Sequence, residues 1–184
     1  IPVGTFRNND LKMVSMQNVE TIKSNSFLGN KIENLYAPNV RIIENSAFSN
    51  NELSSLELGE VTEVGANAFR DNKLTNLTLE KVVKIDESAF LNNAIKSLNA
   101  PKLMYLGTEA FMNNQISGIV ELEELTKITG PRAFMNNNIE ELKLNSIESI
   151  PVGTFRNNDL KKVSMQNVET IRTNSFLGNK IENL

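Results

Sequence analysis

Apolar and polar positions along this chain repeat on a scale longer than a helical turn or a strand pleat. The nine phenylalanines, Phe6, Phe27, Phe48, Phe69, Phe90, Phe111, Phe134, Phe155 and Phe176, share one register, 21 residues apart with a single interval of 23. The third residue after each is asparagine: Asn9, Asn30, Asn51, Asn72, Asn93, Asn114, Asn137, Asn158 and Asn179. The fifth is Leu or Ile from Leu11 to Ile181, and the eighth is Leu, Val or Ile from Val14 to Leu184. Three more apolar columns follow, such as Leu58, Val61 and Val64 in one unit, and Ala, Ser or Thr precedes every Phe. One unit therefore reads F-x-x-N-x-L-x-x-L-x-L-x-x-V-x-x-I-x-x-x-A.

Within a unit, L-x-x-L-x-L carries the period-two alternation of a strand, since Leu56 and Leu58 flank Glu57. Stretches such as VGANAF and IDESAF are short and lack it, which predicts one helical or 3-10 turn, with Pro151 suited to its first position. A single unit buries too few apolar side chains to offset the entropy of ordering it. Stacking removes the deficit, because each coil then buries its columns against both neighbours and pairs its strand with theirs. The pattern predicts a solenoid whose strands form a parallel sheet.

The repetition also has a longer scale. Ile150–Leu184 copies Ile1–Leu35, with Met13 answered by Lys162, Lys23 by Arg172 and Ser24 by Thr173. Six units of 21 and one of 23 make 149 residues, which is the offset between the two copies. The long unit carries its extra residues before Leu122 and around Gly130-Pro131, between columns where a loop can absorb them. Residues 1–184 read as one array of about eight to nine coils that begins and ends within a repeat, the expectation for a piece of a longer array grown by block duplication.

Composition then narrows the chemistry. The net charge is −3 with scattered basic residues, so no phosphate-tracking stripe points to nucleic acid. With no cysteine and no histidine, the chain lacks thiolate nucleophiles, the usual general base and the commonest transition-metal ligand. No G-x-S-x-G elbow, S-x-x-K setting or Gly-rich phosphate loop is present. No calcium-loop spacing accompanies the acidic clusters Glu121-Glu123-Glu124 and Glu140-Glu141. The reading is a protein that is not an enzyme, with no catalytic, cofactor or metal residues and no membrane-spanning run. Asn76-Leu77-Thr78 is a lone glycosylation sequon.

L-x-x-L-x-L followed by an apolar Val or Ile and a turn-forming Asn resembles a leucine-rich repeat. The short unit with I-x-x-x-A-F at its back, as in IDESAFLNN (Ile85–Asn93) and IIENSAFSNN (Ile42–Asn51), is similar to the BspA-like, treponemal-type subclass of bacterial and some protozoan cell surfaces. That subclass often carries Cys where this chain has Asn. The resemblance implies an α/β solenoid, a right-handed superhelix with a concave parallel sheet and short helical turns outside. It also implies an extracellular, cell-surface or secreted module for adhesion or protein binding.

Two kinds of position then stand out. The Asn column is expected to be structural, its amides satisfying the backbone of each turn, and the Phe column to be a packed spine. Binding is expected on the outward strand positions. One file there is Ser15, Tyr36, Glu57, Thr78, Asn99, Val120, Lys143 and Ser164, and beside it runs Met13, Asn34, Ser55, Asn76, Ser97, Gly118, Glu141, Lys162 and Asn183. Tyr36, Glu57, Thr78, Asn99, Val120 and Lys143 are the candidate partner-binding residues. Eight coils at strand spacing would offer a surface roughly 40 Å long, the scale of a protein partner such as a host or matrix glycoprotein rather than a small molecule. The expected module is a monomeric, adhesin-like array, and the competing expectation is a passive spacer that projects another domain.

Overall fold

The computed structural model describes residues 1–183, so Leu184, the last member of the eighth-position column, lies outside the described residues. Each coil passes through three walls. The first is built from L-x-L segments: β1 (Met13–Ser15), β3 (Asn34–Tyr36), β5 (Ser55–Glu57), β7 (Asn76–Thr78), β9 (Ser97–Asn99), β11 (Ser117–Glu121), β13 (Asn138–Leu144) and β15 (Lys162–Met165). The second is built from two-residue strands: β2 (Thr21–Ile22), β4 (Ile42–Ile43), β6 (Glu63–Val64), β8 (Lys84–Ile85), β10 (Tyr105–Leu106), β12 (Lys127–Ile128), β14 (Ser149–Ile150) and β16 (Thr170–Ile171). All paired strands run parallel, each beside its counterpart one coil on, as in Val14 with Leu35 and Leu35 with Leu56. The second wall holds the longer ladder, six strands from β2 to β12, while the first is divided into β1-β3-β5, β7-β9 and β11-β13-β15. The architecture is a parallel β-solenoid of stacked coils.

The third wall corrects the sequence reading. No residue among those described is helical or 3-10, so the α/β class and the helical turns are replaced by paired β-turns. The reason lies in the backbone. In every coil the residue two before Phe and the residue two after it sit at positive φ, for example Ser46 at 55° and Asn50 at 54° around Phe48. A right-handed helix cannot run through a left-handed residue. The left-handed positions instead turn alternate N–H groups along the stack: Ser46, Phe48 and Asn50 donate to the carbonyls of Ala66, Ala68 and Arg70 at 2.8, 2.8 and 2.9 Å. The amides between them close local turns, Ala47 to Glu44 and Ser49 to Ser46, both at 3.3 Å. This wall thus joins coils by main-chain bonds as the strand walls do.

Side chains of all three walls meet in one core. Six phenylalanines from Phe48 to Phe155 are 0% exposed, and successive rings in the column stack with centroids 5.0 to 5.5 Å apart. The near-parallel rings follow from the repeat itself, because one rotamer on one backbone site is translated by one coil.

Candidate binding surface

The third-position asparagines lie at the inner corner between the turn wall and the first strand wall. Asn72 is typical: its Nδ2 donates to the Phe48 and Phe69 carbonyls at 2.9 and 3.1 Å, and its Oδ1 accepts from the Leu53 amide at 3.0 Å. Asn30, Asn51, Asn93, Asn114, Asn137, Asn158 and Asn179 repeat these contacts, each joining its own coil to the preceding one. Asn9, in the first coil, donates to Arg7 O at 3.2 Å. With donors and acceptor all engaged by backbone, these amides have little capacity left for a ligand.

A second amide column on the outside of the turn wall is not apparent from the sequence reading. Asn92 donates to Asp71 at 2.7 Å, Asn113 to Asn92 at 2.9 Å, Asn136 to Asn113 at 2.8 Å and Asn157 to Asn136 at 2.9 Å. Its signal in the sequence is the residue before each structural Asn, which reads Asn-Asn or Asp-Asn in six coils in succession from Asn50 to Asn157. These residues occupy a left-handed position that Asn tolerates better than most side chains.

On the first strand wall, Tyr36, Glu57, Thr78 and Asn99 point outward and are exposed, and Lys143 is half-buried. Tyr36 is 40% exposed and, with Met13, Ser55 and Glu57, lines a shallow hollow of about 210 Å³. Val120 departs from expectation: it is 2% exposed and packs into the core, whereas Ile119 is 55% exposed. The cause is a bulge between Gly118 and Ile119, with Gly118 at φ +69°. Because side chains alternate faces, a one-residue slip exchanges inside and outside. Glu121 therefore takes the outward place opposite Lys143 and forms an ion pair with it. The bulge leaves a hollow of about 490 Å³ bounded by Asn99, Pro101, Ile119, Glu121, Glu123 and Glu124.

Charge along the stack follows the coil register. Asp10, Glu52, Glu60, Glu140, Glu141 and Asp159 each pair with a lysine 21 residues later, at 2.5 to 3.2 Å. The hydrogen bond from Lys162 holds the Glu141 carboxyl below the usual range, and the Glu121 carboxylate pushes the Lys143 ammonium up. Such exposed pairs contribute little to stability. Among the described residues no three metal-ligating side chains gather, and no helix is long and apolar enough to cross a membrane.

No curated protein matches the chain. A crystal structure at 1.19 Å resolution of a leucine-rich repeat protein from Bacteroides ovatus ATCC 8483 is similar to it, at 16% identity and a TM-score of 0.44. That similarity covers 94% of this chain and 60% of the other, so the chain spans about 60% of that protein's length. Residues 1–117 and 102–184 match the family described as "BspA type Leucine rich repeat region (6 copies)". With the coil geometry and this coverage together, the chain belongs to the BspA-type leucine-rich repeat family.

Proposed function

We propose that this array is an extracellular, adhesin-like binding module that holds a host or matrix glycoprotein on its first strand wall, taken as the concave side of a right-handed superhelix, and acts as a monomer. The observation that carries the reading is a contrast on that wall. Inward positions repeat the same apolar type coil after coil, while outward positions change from Tyr36 to Glu57, Thr78, Asn99, Glu121 and Lys143. Tyr36 is exposed beside Met13 on this wall, and aromatic side chains are frequent anchors at interfaces. The cell-surface setting is supported by the family, whose members are generally interaction or surface proteins.

The spacer reading has its own support in the three walls of main-chain bonds, which join successive coils. The two readings separate in one experiment. Capture by a panel of immobilised matrix glycoproteins is measured for the protein and for a Tyr36→Ala, Glu57→Ala, Lys143→Ala triple variant. A binding wall predicts at least a tenfold loss for any glycoprotein captured, about 1.4 kcal/mol. Capture that is absent, or that the triple variant leaves unchanged, favours the spacer.

A further inference from the structure

The first strand wall is not equally closed along its length, and the two places where it opens lie in the interior of the stack. No ladder joins β5 to β7 or β9 to β11. One main-chain bond marks the difference. At the end of the strand, Met16, Ala37, Leu79 and Leu122 donate to the carbonyls of Tyr36, Glu57, Asn99 and Lys143 in the next coil, at 2.9, 3.2, 2.8 and 3.2 Å. The amides of Leu58 and Ala100 occupy the same place, and among the described residues neither donates to the next coil. Ala100 is 3% exposed, and an amide so deeply covered normally has a partner.

Side-chain burial follows the same division. The inward residues Val14, Leu35, Leu77, Leu142 and Val163 are at most 7% exposed, whereas Leu56 and Leu98, on the strands beside the two gaps, are only partly buried, as is Leu58. At each gap one strand is drawn toward its other neighbour. Gly59, just after β5, lies so close to the preceding coil that a Cβ there would stand 2.6 Å from the Pro38 carbonyl oxygen. β11 stays with β13 over five pairs, and its extra residue at the bulge takes it out of step with β9. The other two walls remain bonded across both gaps. Val83 donates to Thr62 at 2.9 Å and Phe69 to Ala89 at 2.8 Å across the first, and Thr126 to Met104 at 3.1 Å and Phe111 to Ala133 at 2.8 Å across the second.

We propose that these gaps are seams at which the first strand wall opens and closes, with the second strand wall and the turn wall acting as the hinge. The wall is thereby divided into three blocks, β1-β3-β5, β7-β9 and β11-β13-β15. Opening at a seam breaks no ladder, so it costs far less than unfolding the stack. A partner laid along the wall meets blocks that tilt to follow its surface, a consequence that rests on the strand-wall reading, while the seams themselves do not.

The test is amide hydrogen exchange of the isotope-labelled protein, followed residue by residue with no partner present. After correction for intrinsic rates, Leu58 and Ala100 should exchange at least about a hundredfold faster than Ala37 and Leu79, while Phe69, Val83, Phe111 and Thr126 stay as protected as Ala37. Deleting Gly118 brings β11 back into step with β9, so it should slow Ala100 and leave Leu58 as fast as before. Three results each overturn the proposal: Leu58 and Ala100 as slow as Ala37 and Leu79, Phe69 and Phe111 as fast as Leu58 and Ala100, or an Ala100 no slower in a folded Gly118 deletion. None of them bears on glycoprotein capture, so the seams and the binding wall fail separately.

Discussion

The regular coils between Phe27 and Phe111 and the long coil between Phe111 and Phe134 are made of the same columns, yet they use their surfaces differently. In a regular coil every column is set by its neighbours one coil away: ring on ring, amide on carbonyl, acid on base. A side chain that fits one coil fits them all, so the surface they share is repetitive. The long coil keeps its inner columns, since Phe134 is 0% exposed and Asn137 makes the usual bonds, but must place two extra residues outside them. One becomes the bulge that exposes Ile119, and the other becomes the Gly130-Pro131 fold beside Arg132. In a solenoid, a distinctive surface arises where the period fails.

The largest test of this contrast is in a regular coil. Phe90→Ala should cost about 3–5 kcal/mol, from lost burial and a cavity between two rings that cannot collapse onto each other. Asn72→Ala should cost about 2 kcal/mol, because it leaves the buried Leu53 amide without a partner, while the Phe48 and Phe69 carbonyls keep one donor each, from Asn51 and Asn93. Denaturant melts measure both, and a loss under about 1 kcal/mol for either would show that the columns do not carry the stack.

In the long coil, the bulge sets a sharper comparison between adjacent residues. Val120→Ala should destabilise by about 2 kcal/mol, and Ile119→Ala should stay within about 0.5 kcal/mol. The reverse order would move the slip to the other side of Ile119 and return Val120 to the outward file.

The smallest effect is electrostatic. Glu141 is held below its ordinary value in the folded chain, so its contribution is present above the usual carboxylate range and is lost as pH falls through the lowered value. Lys143 is raised, so its contribution is present below the usual lysine range and is lost as pH rises through the raised value. Thermal melts across pH should show a shallow acid limb that Glu141→Gln flattens, and a screening salt should flatten it too. An acid limb identical in that variant would show the pair to be energetically idle.

Much of the coil could be read directly. The Phe and Asn columns, the L-x-L strand and the sites of the two extra residues follow from spacing alone, because a stack of like units forces equal positions into equal environments. The candidate surface was less legible. Tyr36, Glu57, Thr78 and Asn99 fall outward by simple alternation, but between Ile119 and Val120 the pattern offers two apolar residues for one inward place. The second strand wall is not legible in the sequence, because strands of two residues, such as Glu63–Val64, are too short to show alternation.

The turn wall marks the boundary most clearly. Ala-Phe stretches bounded by polar residues are compatible with a helical turn on local grounds, and the Gly, Asn and Ser residues two before Phe hint at the left-handed geometry without requiring it. The alternative wins because left-handed residues at both ends of the stretch aim alternate amides at the next coil, where carbonyls wait at the same spacing. That gain exists only once a neighbour is in place. The sequence by itself determined the period and the core, since both are properties of one unit repeated. The tertiary structure decided the turn conformation, the side of the bulge and the seams of the first strand wall, because each depends on bonds between coils that no single unit contains.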